Sequence, residues 1–295
     1  MKINAGTYCP GYDFDIFGVS YIGNPKPNTA VFVSKKVQYL LEKVMNVSEV
    51  LIFAEAGMEI PSEVTLHNAV YFSDSPQFDF TKCVEAFAIE ARNEERKQKY
   101  ILADEGYYIS EATTIGENTY IEPGCVIGPD VQIGKNACIM AGTIIKHATI
   151  GDNFLCNENA VIGSYSYTLT QDKDGNRYRI PTMGRVVIGN NVEVGANNAI
   201  ARGTCGDTVI EDHVKMDSLV YIGHDSCLRK NVEISAGVSV AGFVEAEQNA
   251  RLGIGASIRN RITIGENSMI GMGSVVTKSV EEGTTVVGNP AKLFR

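Results

Sequence analysis

Tryptophan is absent from the 295 residues, and histidine occurs only four times, at positions 67, 147, 213 and 224. No apolar run approaches the ~18 residues of a membrane-spanning helix, so none is expected. The opening stretch, MKINAGTYCPGYDFD, lacks the basic-then-apolar order of a secretory leader. Seven cysteines (9, 83, 125, 138, 156, 205 and 227) show neither CxxC nor paired spacing, which points to free thiols in a reducing cytoplasm. A basic surface is missing too. The formal net charge of −9 argues against a nucleic-acid partner, since phosphate rewards cations. Hydrophobic residues at 44% and charged residues at 21% describe an ordinary globular chain, long enough for one or two domains.

Glycine is plentiful, with 29 residues, and a repeat explains it. From Ile210 an aliphatic or small residue recurs every six positions, through Met216, Ile222, Leu228, Ile234 and Val240 to Val276. Four places after each stands a second small or branched residue, from Val214 to Val280. An earlier run has the same period from Ile109 to Ile139. It then slips by one residue and resumes at Ile144, Ile150, Cys156 and Ile162. A third piece reads Ile188, Val194, Ile200. Two interruptions break the series: a polar, Tyr-rich segment at 164–184 and a four-residue addition near 205–208.

Neither a helix nor a simple strand has period six. A coil of short parallel strands does, with aliphatics stacked inside and Gly, Asn and Asp at the turns. The units IGENTY, IGPDVQ, IGKNAC and IGNNVE resemble the left-handed parallel β-helix family, with three hexapeptides, or 18 residues, per triangular rung. The hand comes from that resemblance, because the general crossover rule favours the right. Roughly eight coils are expected. The fold class is thus mainly β: a left-handed parallel β-helix preceded by a small α/β domain. The expected division is 1–103 for a nucleotide-binding domain, 104–282 for the coil with a projecting loop at 164–184, and 283–295 for a tail.

Before Ile109 the period is absent. Residues 30–55 read strand, helix, strand, with Val37, Leu40, Leu41 and Val44 on one helical face, and 82–100 read as a second helix. The stretch GYDFDIFGVSYIGNPKPNTAVFVSKK (11–36) resembles the N-terminal domain of the UDP-3-O-acylglucosamine N-acyltransferases of lipid A synthesis. That resemblance implies a site for the uracil end of a sugar nucleotide. Phe32 falls where the family stacks an aromatic on the base. The family's second aromatic lands on Gln38, with Tyr39 one place off. Residues 161–225 follow the same family, interruptions included, except that its IDRG reads IARG here, so an acid is lost at Ala201. Residues 253–292 are more similar to bacterial UDP-amino-sugar N-acetyltransferases, which use acetyl-CoA and share VVGNPAK. The lipid A enzymes carry helices after the coil for an acyl carrier protein. The sequence stops at Arg295 without them, and a further histidine of those enzymes is Arg261 here.

His224 stands two residues after Ile222, hence at a corner. The 18-residue rung places Gly242, Asn260 and Lys278 above it, and Arg202 below it across the insertion. An amine attacking a thioester needs a base and an oxyanion donor. Histidine suits the first task, and a backbone N–H beside glycine, one rung (~4.8 Å) away, suits the second. Both related families use such a pair. Asp225 is expected to orient the imidazole. Lys278, three rungs or ~14 Å above, is expected to meet donor phosphates with Asn260, and Lys292 and Arg295 are weaker candidates. Tyr165, Tyr167, Arg202, Asp217 and Ser218 are the expected substrate contacts beside Phe32 and Tyr39, and His147 and His213 are expected as surface turns. Hexapeptide carbonic anhydrases bind zinc with two of three histidines five apart, and no such pair exists here, so no metal is expected.

The expectation is an N-acyltransferase that moves a short acyl group from acyl-CoA, with acetyl-CoA the expected co-substrate, to a nucleotide-linked amino sugar. No cofactor is permanently bound, and the resemblance implies a homotrimer with sites between subunits. Two alternatives stand beside it: an acyl-carrier-protein-dependent UDP-3-O-acylglucosamine N-acyltransferase, and a non-catalytic sugar-nucleotide-binding protein of the same fold.

Overall fold

The computed structural model describes residues 1–294. The chain forms two compact units: Met1–Glu95 with Tyr167–Met183, and Arg96–Ser166 with Gly184–Arg295. The expected boundary at 103 therefore moves upstream. Tyr100–Leu102 pairs antiparallel with Tyr108–Ser110, which places it in the coil.

The N-terminal unit is built on four parallel strands in the order Gly18–Val19, Thr29–Val33, Leu51–Glu55, Ala69–Ser73. Leu51, Ile52, Phe53 and Ala54 are all fully buried, as a parallel sheet covered on both faces requires. Val31, Val33, Ile52 and Ala54 pack with Leu41, Val44, Met58 and Val64. The alternate residues Phe32, Phe53 and Tyr71 lie in one row across the sheet. Phe80 of the helix Pro76–Lys97 packs on Phe32 and Phe53. This helix begins six residues earlier than expected. The segment Lys35–Val44 is 3₁₀ rather than α and is broken at Val37 (φ −124°, ψ 23°), though it still buries Leu41 and Val44. Most of the Tyr-rich interruption is a hairpin, Leu169–Gln171 with Arg177–Arg179. Its turn is tied by the Asp172 carboxylate, which accepts bonds from the N–H groups of Asp174 and Asn176 and from the Tyr178 hydroxyl. The Tyr178 ring packs on Phe78 within this same unit.

The second unit is a left-handed parallel β-helix. Its three sheets hold ten, ten and eight short strands. Each ten-stranded sheet ends in one antiparallel strand, Tyr100–Leu102 in one and Lys292–Leu293 in the other. The six-residue row is the inside of the coil: Ile210, Ile222, Leu228, Val240, Ala246 and Ile264 are fully buried. Rungs repeat at 18 residues where the sequence is regular, as in Ile222↔Val240↔Ile258↔Val276. The slip lies elsewhere than expected. Ile145, not Ile144, aligns with Ile127 and Ile162 and is fully buried, while Ile144 faces outward. The missing residue is therefore absorbed at the next corner, between Ile145 and Ile150, where His147 takes φ 47°.

Left-handed corners along one edge carry asparagine on successive rungs. Asn118, Asn136, Asn153 and Asn191 link side chain to side chain at 3.1–3.4 Å. Asn231, Asn249 and Asn267 continue at 2.9–3.1 Å. His213, at φ 62°, occupies the rung between the two runs. It is an exposed turn residue, as expected. His213→Asn would let one amide ladder run unbroken. We expect a gain of about 0.5 kcal/mol, or a rise of ~1–2 °C in melting temperature by calorimetry. A fall would show that the histidine stabilises its corner better than an amide does.

Candidate active site

The strand Tyr221–Ile222 ends at Gly223, and the chain turns through His224 and Asp225, the latter at φ 57°. The left-handed corner folds the Asp225 carboxylate back beneath the imidazole of His224. Nδ1 lies 2.7 Å from Asp225 Oδ2 and 3.1 Å from Thr204 Oγ1. The Thr204 hydroxyl donates to Ser166 Oγ at 3.0 Å, so it offers the ring a lone pair. Both neighbours of Nδ1 then accept. The ring proton belongs on Nδ1, and Nε2 keeps its lone pair.

Asp225 is itself held by the backbone. The N–H of Thr204 donates to Oδ2 at 2.8 Å, and that of Gly206 to Oδ1 at 2.9 Å. Cys205 N–H adds a longer bond of 3.4 Å. Burial alone would raise this carboxyl, whose side chain is 4% exposed. The hydrogen bonds from His224 and the two backbone amides, with the attraction of the imidazole, outweigh it and hold the group below its ordinary value. The four-residue interruption near 205–208 is thus an amide nest for Asp225. Sequence reasoning saw only an insertion there. A cue existed, because the insertion falls one rung below the histidine. Burial, and then the Asp225 charge, push the Cys205 thiol well above its usual range, which keeps it protonated and a poor nucleophile.

Gly242 lies directly above. A β-carbon built on it would stand 2.6 Å from His224 Nε2 and 2.7 Å from Cε1. The Nε2 side of the imidazole therefore rests against the Gly242 backbone. Strand register extends the column: Ile200↔Ile222↔Val240↔Ile258↔Val276 places Arg202, His224, Gly242, Asn260 and Lys278 on one edge. Arg259 and Arg261 flank Asn260, so three exposed cations, with Lys278, lie two and three rungs above the imidazole. Lys292 sits on the strand Lys292–Leu293, paired with Val287, and the N–H of its neighbour Ala291 donates to the Val275 carbonyl on the strand that leads to Lys278. Arg295 lies outside the described residues.

Below His224 and Arg202 the column continues to Tyr165 and His147, which sequence reasoning did not place there. A bulge pairs Ser164 with Ala201, bringing Tyr165 beside Arg202, whose guanidinium carbon lies 5.1 Å from the Tyr165 ring centroid. Arg202 is nearly buried, at 6% exposure, while half of Tyr165 is exposed. One rung further down is His147. It is buried rather than a surface turn, because the shortened corner draws it against the coil. Burial, and then the charges of Arg202, Arg185 and Lys146, push its imidazole down to about 3 from an ordinary 6.5. The unfolded chain takes up that proton near pH 6.5, and the folded one does not. Stability from this group is complete above pH 6.5 and declines as pH falls toward 3. Between pH 7 and pH 5 the expected loss is ~2 kcal/mol. Urea unfolding at both pH values should show it in the native protein and show it reduced in His147→Asn; equal losses would refute it.

Other expected contacts are separated. Asp217 and Ser218 occupy the corner before Tyr221–Ile222, whereas His224 occupies the one after it, so one protomer does not bring them together. Tyr167 belongs to the N-terminal unit, where Arg179 lies 5.2 Å from its ring centroid. Phe32 and Tyr39 are also apart. Phe32 is half-buried on the Phe80 face of the sheet, while Tyr39 is 69% exposed on the segment covering the opposite face. The N-terminal unit instead offers a crevice of about 360 Å³ at the carboxyl ends of its strands, lined by Ser34, Glu55, Asp74, Gln77, Phe78 and Arg177. Among the described residues no three His, Cys, Asp or Glu side chains are grouped to hold a metal ion.

These features define a class. Residues 112–147 match the family described as bacterial transferase hexapeptide (six repeats), and residues 244–278 match the hexapeptide repeat of succinyl-transferase. The second unit thus carries hexapeptide repeats of the left-handed β-helix class. It is 48% identical over 147 residues to UDP-3-O-acylglucosamine N-acyltransferase 2 of Legionella pneumophila (strain Paris), covering 50% of this chain and 43% of that protein. It is 38% identical over 147 residues to UDP-3-O-acylglucosamine N-acyltransferase of Coxiella burnetii (strain Dugway 5J108-111), covering 45% and 43%. The matched region thus spans less than half the length of these curated relatives. Among solved structures, LpxA from Acinetobacter baumannii superposes with a TM-score of 0.59 at 25% identity, over 66% of this chain and 74% of that one.

Proposed function

We propose that the protein is an N-acyltransferase that acylates the amine of a UDP-linked amino sugar from an acyl thioester. The observation that carries this reading is the imidazole of His224, fixed through Nδ1 and resting by Nε2 against Gly242. The amine nitrogen attacks the thioester carbonyl carbon, and Nε2 takes the proton that the amine loses. The Gly242 N–H receives the developing oxyanion. The tetrahedral intermediate then collapses, the carbon–sulfur bond breaks, and the imidazolium returns the proton to the leaving thiolate. Asp225, kept ionised by its amide nest, stabilises the imidazolium while it exists. No acyl-enzyme is required, and the protonated Cys205 thiol offers no competing nucleophile.

The names of the curated relatives support UDP-3-O-acylglucosamine as acceptor, the first alternative above, over the unspecified amino sugar of the main expectation. Transfer of acetyl from CoA remains the second reading. It is favoured by the likeness of residues 253–292 to UDP-amino-sugar N-acetyltransferases, and by Lys278 at a pantetheine's reach, ~14 Å above His224. Arg259, Arg261 and Lys278 suit the phosphates of either donor.

A homotrimer completes the site in this reading. The outward row of one sheet, including Val126, Ile144, Val161, Ala199 and Tyr221, carries no charge and runs between the His224 corner and the Asp217–Ser218 corner. Joined across such faces, one protomer's Asp217 and Ser218 meet its neighbour's His224. Light scattering should give three chains per particle. The function is tested by offering acyl-CoA and acyl carrier protein in turn with UDP-3-O-acylglucosamine and with other UDP- and dTDP-amino sugars. Product with the first acceptor supports the main reading, product only with acetyl-CoA and another sugar supports the second, and binding without product points to a non-catalytic protein.

A further inference from the structure

Phe243 follows Gly242 in a left-handed backbone conformation, φ 60°. A β-carbon makes that conformation costly, and asparagine, aspartate or glycine fills most such corners in this coil. Among the described residues no other phenylalanine, and no tyrosine, adopts it. Bulky outliers persist where surrounding contacts over-determine them, and such outliers gather at functional sites. Three contacts hold this one. The Phe243 N–H donates to the His224 carbonyl at 3.0 Å. Its ring stands edge-to-face with the imidazole, with centroids 5.2 Å apart and planes at 87°. Arg261 lies over the ring, its guanidinium carbon 4.0 Å from the centroid. Register explains the stack, for Asp225, Phe243 and Arg261 are successive left-handed corners on consecutive rungs.

We propose that Phe243 is a positioning residue for His224: a strained aromatic wall, pinned by Arg261, that keeps Nε2 over Gly242. This rests on the reading of His224 as base. Asp225 and Thr204 hold the Nδ1 side of the imidazole. Phe243 adds an edge-to-face contact against the ring itself. An ordinary corner residue would relieve the backbone strain but remove that contact. The wall therefore trades stability for alignment.

Phe243→Asn separates this from a packing role, because asparagine tolerates the left-handed corner and removes the wall. We expect kcat to fall ~tenfold with the acceptor KM unchanged, while the melting temperature holds or rises. In the substrate-free protein, the His224 Cε1–H resonance should move as the phenyl ring current disappears. Phe243→Tyr should retain all the native values. An unmoved resonance, or a kcat within twofold of native, would overturn the proposal. So would a melting temperature that falls along with kcat. The resonance is read without any substrate. A protein that acylates nothing would defeat the proposed function, yet the placement of His224 by Phe243 would still be decided.

Discussion

His224→Asn is expected to lower kcat by 10³–10⁴-fold while leaving the melting temperature and the assembly unchanged. General-base catalysis by a placed histidine contributes about 10²–10⁴-fold. The upper part of that range applies because, in the proposed mechanism, the ring also returns the proton to the leaving thiolate. Asparagine can keep a contact to Asp225 Oδ2, now at 2.7 Å from Nδ1, so the amide nest around Thr204 and Gly206 need not reorganise. It cannot take a proton at neutral pH. The imidazole is 13% exposed and occupies a corner, so no core volume is lost with it. Steady-state rates set against calorimetry separate the two effects. Turnover within tenfold of native would remove His224 from the mechanism.

Gly242→Ala should be nearly as damaging to activity, with a loss of roughly 10²-fold in kcat. Gly242 does not use a left-handed conformation, so freedom of the backbone is not the reason for glycine here. The reason is room. A methyl group would stand 2.6 Å from Nε2, closer than real contacts allow, so the imidazole must move. It is not free to yield cheaply, because Asp225 and Thr204 hold its Nδ1 and Phe243 stands against its ring. The methyl would also occupy the space between His224 and the Gly242 backbone, where the proposed mechanism puts the reacting carbonyl. Stability should fall by about 1–3 kcal/mol, the cost of forcing a held ring aside, although alanine suits the backbone conformation itself. Rates and melting temperature measured on the same sample test this. Native turnover would mean that the thioester does not approach Gly242.

Much of this was legible because a coil turns sequence arithmetic into geometry. Once Ile222, Val240, Ile258 and Val276 were seen to share a row, the corner two residues later followed, and His224, Gly242 and Lys278 fell into one column. That Asp217 and Ser218 lie at a different corner came from the structure. What escaped lay where the period broke. Ile144 and Ile145 are adjacent and equally apolar, so the pattern could not show which one faces inward. The error of one residue hid His147, which the shortened corner buries in the same column. The amide nest of Thr204, Cys205 and Gly206 is made of backbone, which has no signature in residue types beyond the length of the insertion. In the N-terminal unit, resemblance alone linked Phe32 with Tyr39. Strand alternation sends Phe32 to one face of the sheet, and the 3₁₀ segment carrying Tyr39 covers the other.

Direct attack on the thioester is most plainly tested by weighing protein and product together. Purified protein, UDP-3-O-acylglucosamine and an acyl thioester are quenched during turnover, and both the intact chain and the sugar nucleotide are examined by mass spectrometry. One acylated sugar nucleotide should form for each thiol released, with the mass of the chain unchanged throughout. A chain that carries the acyl group, or thiol release without acylation of the amine, would contradict the mechanism.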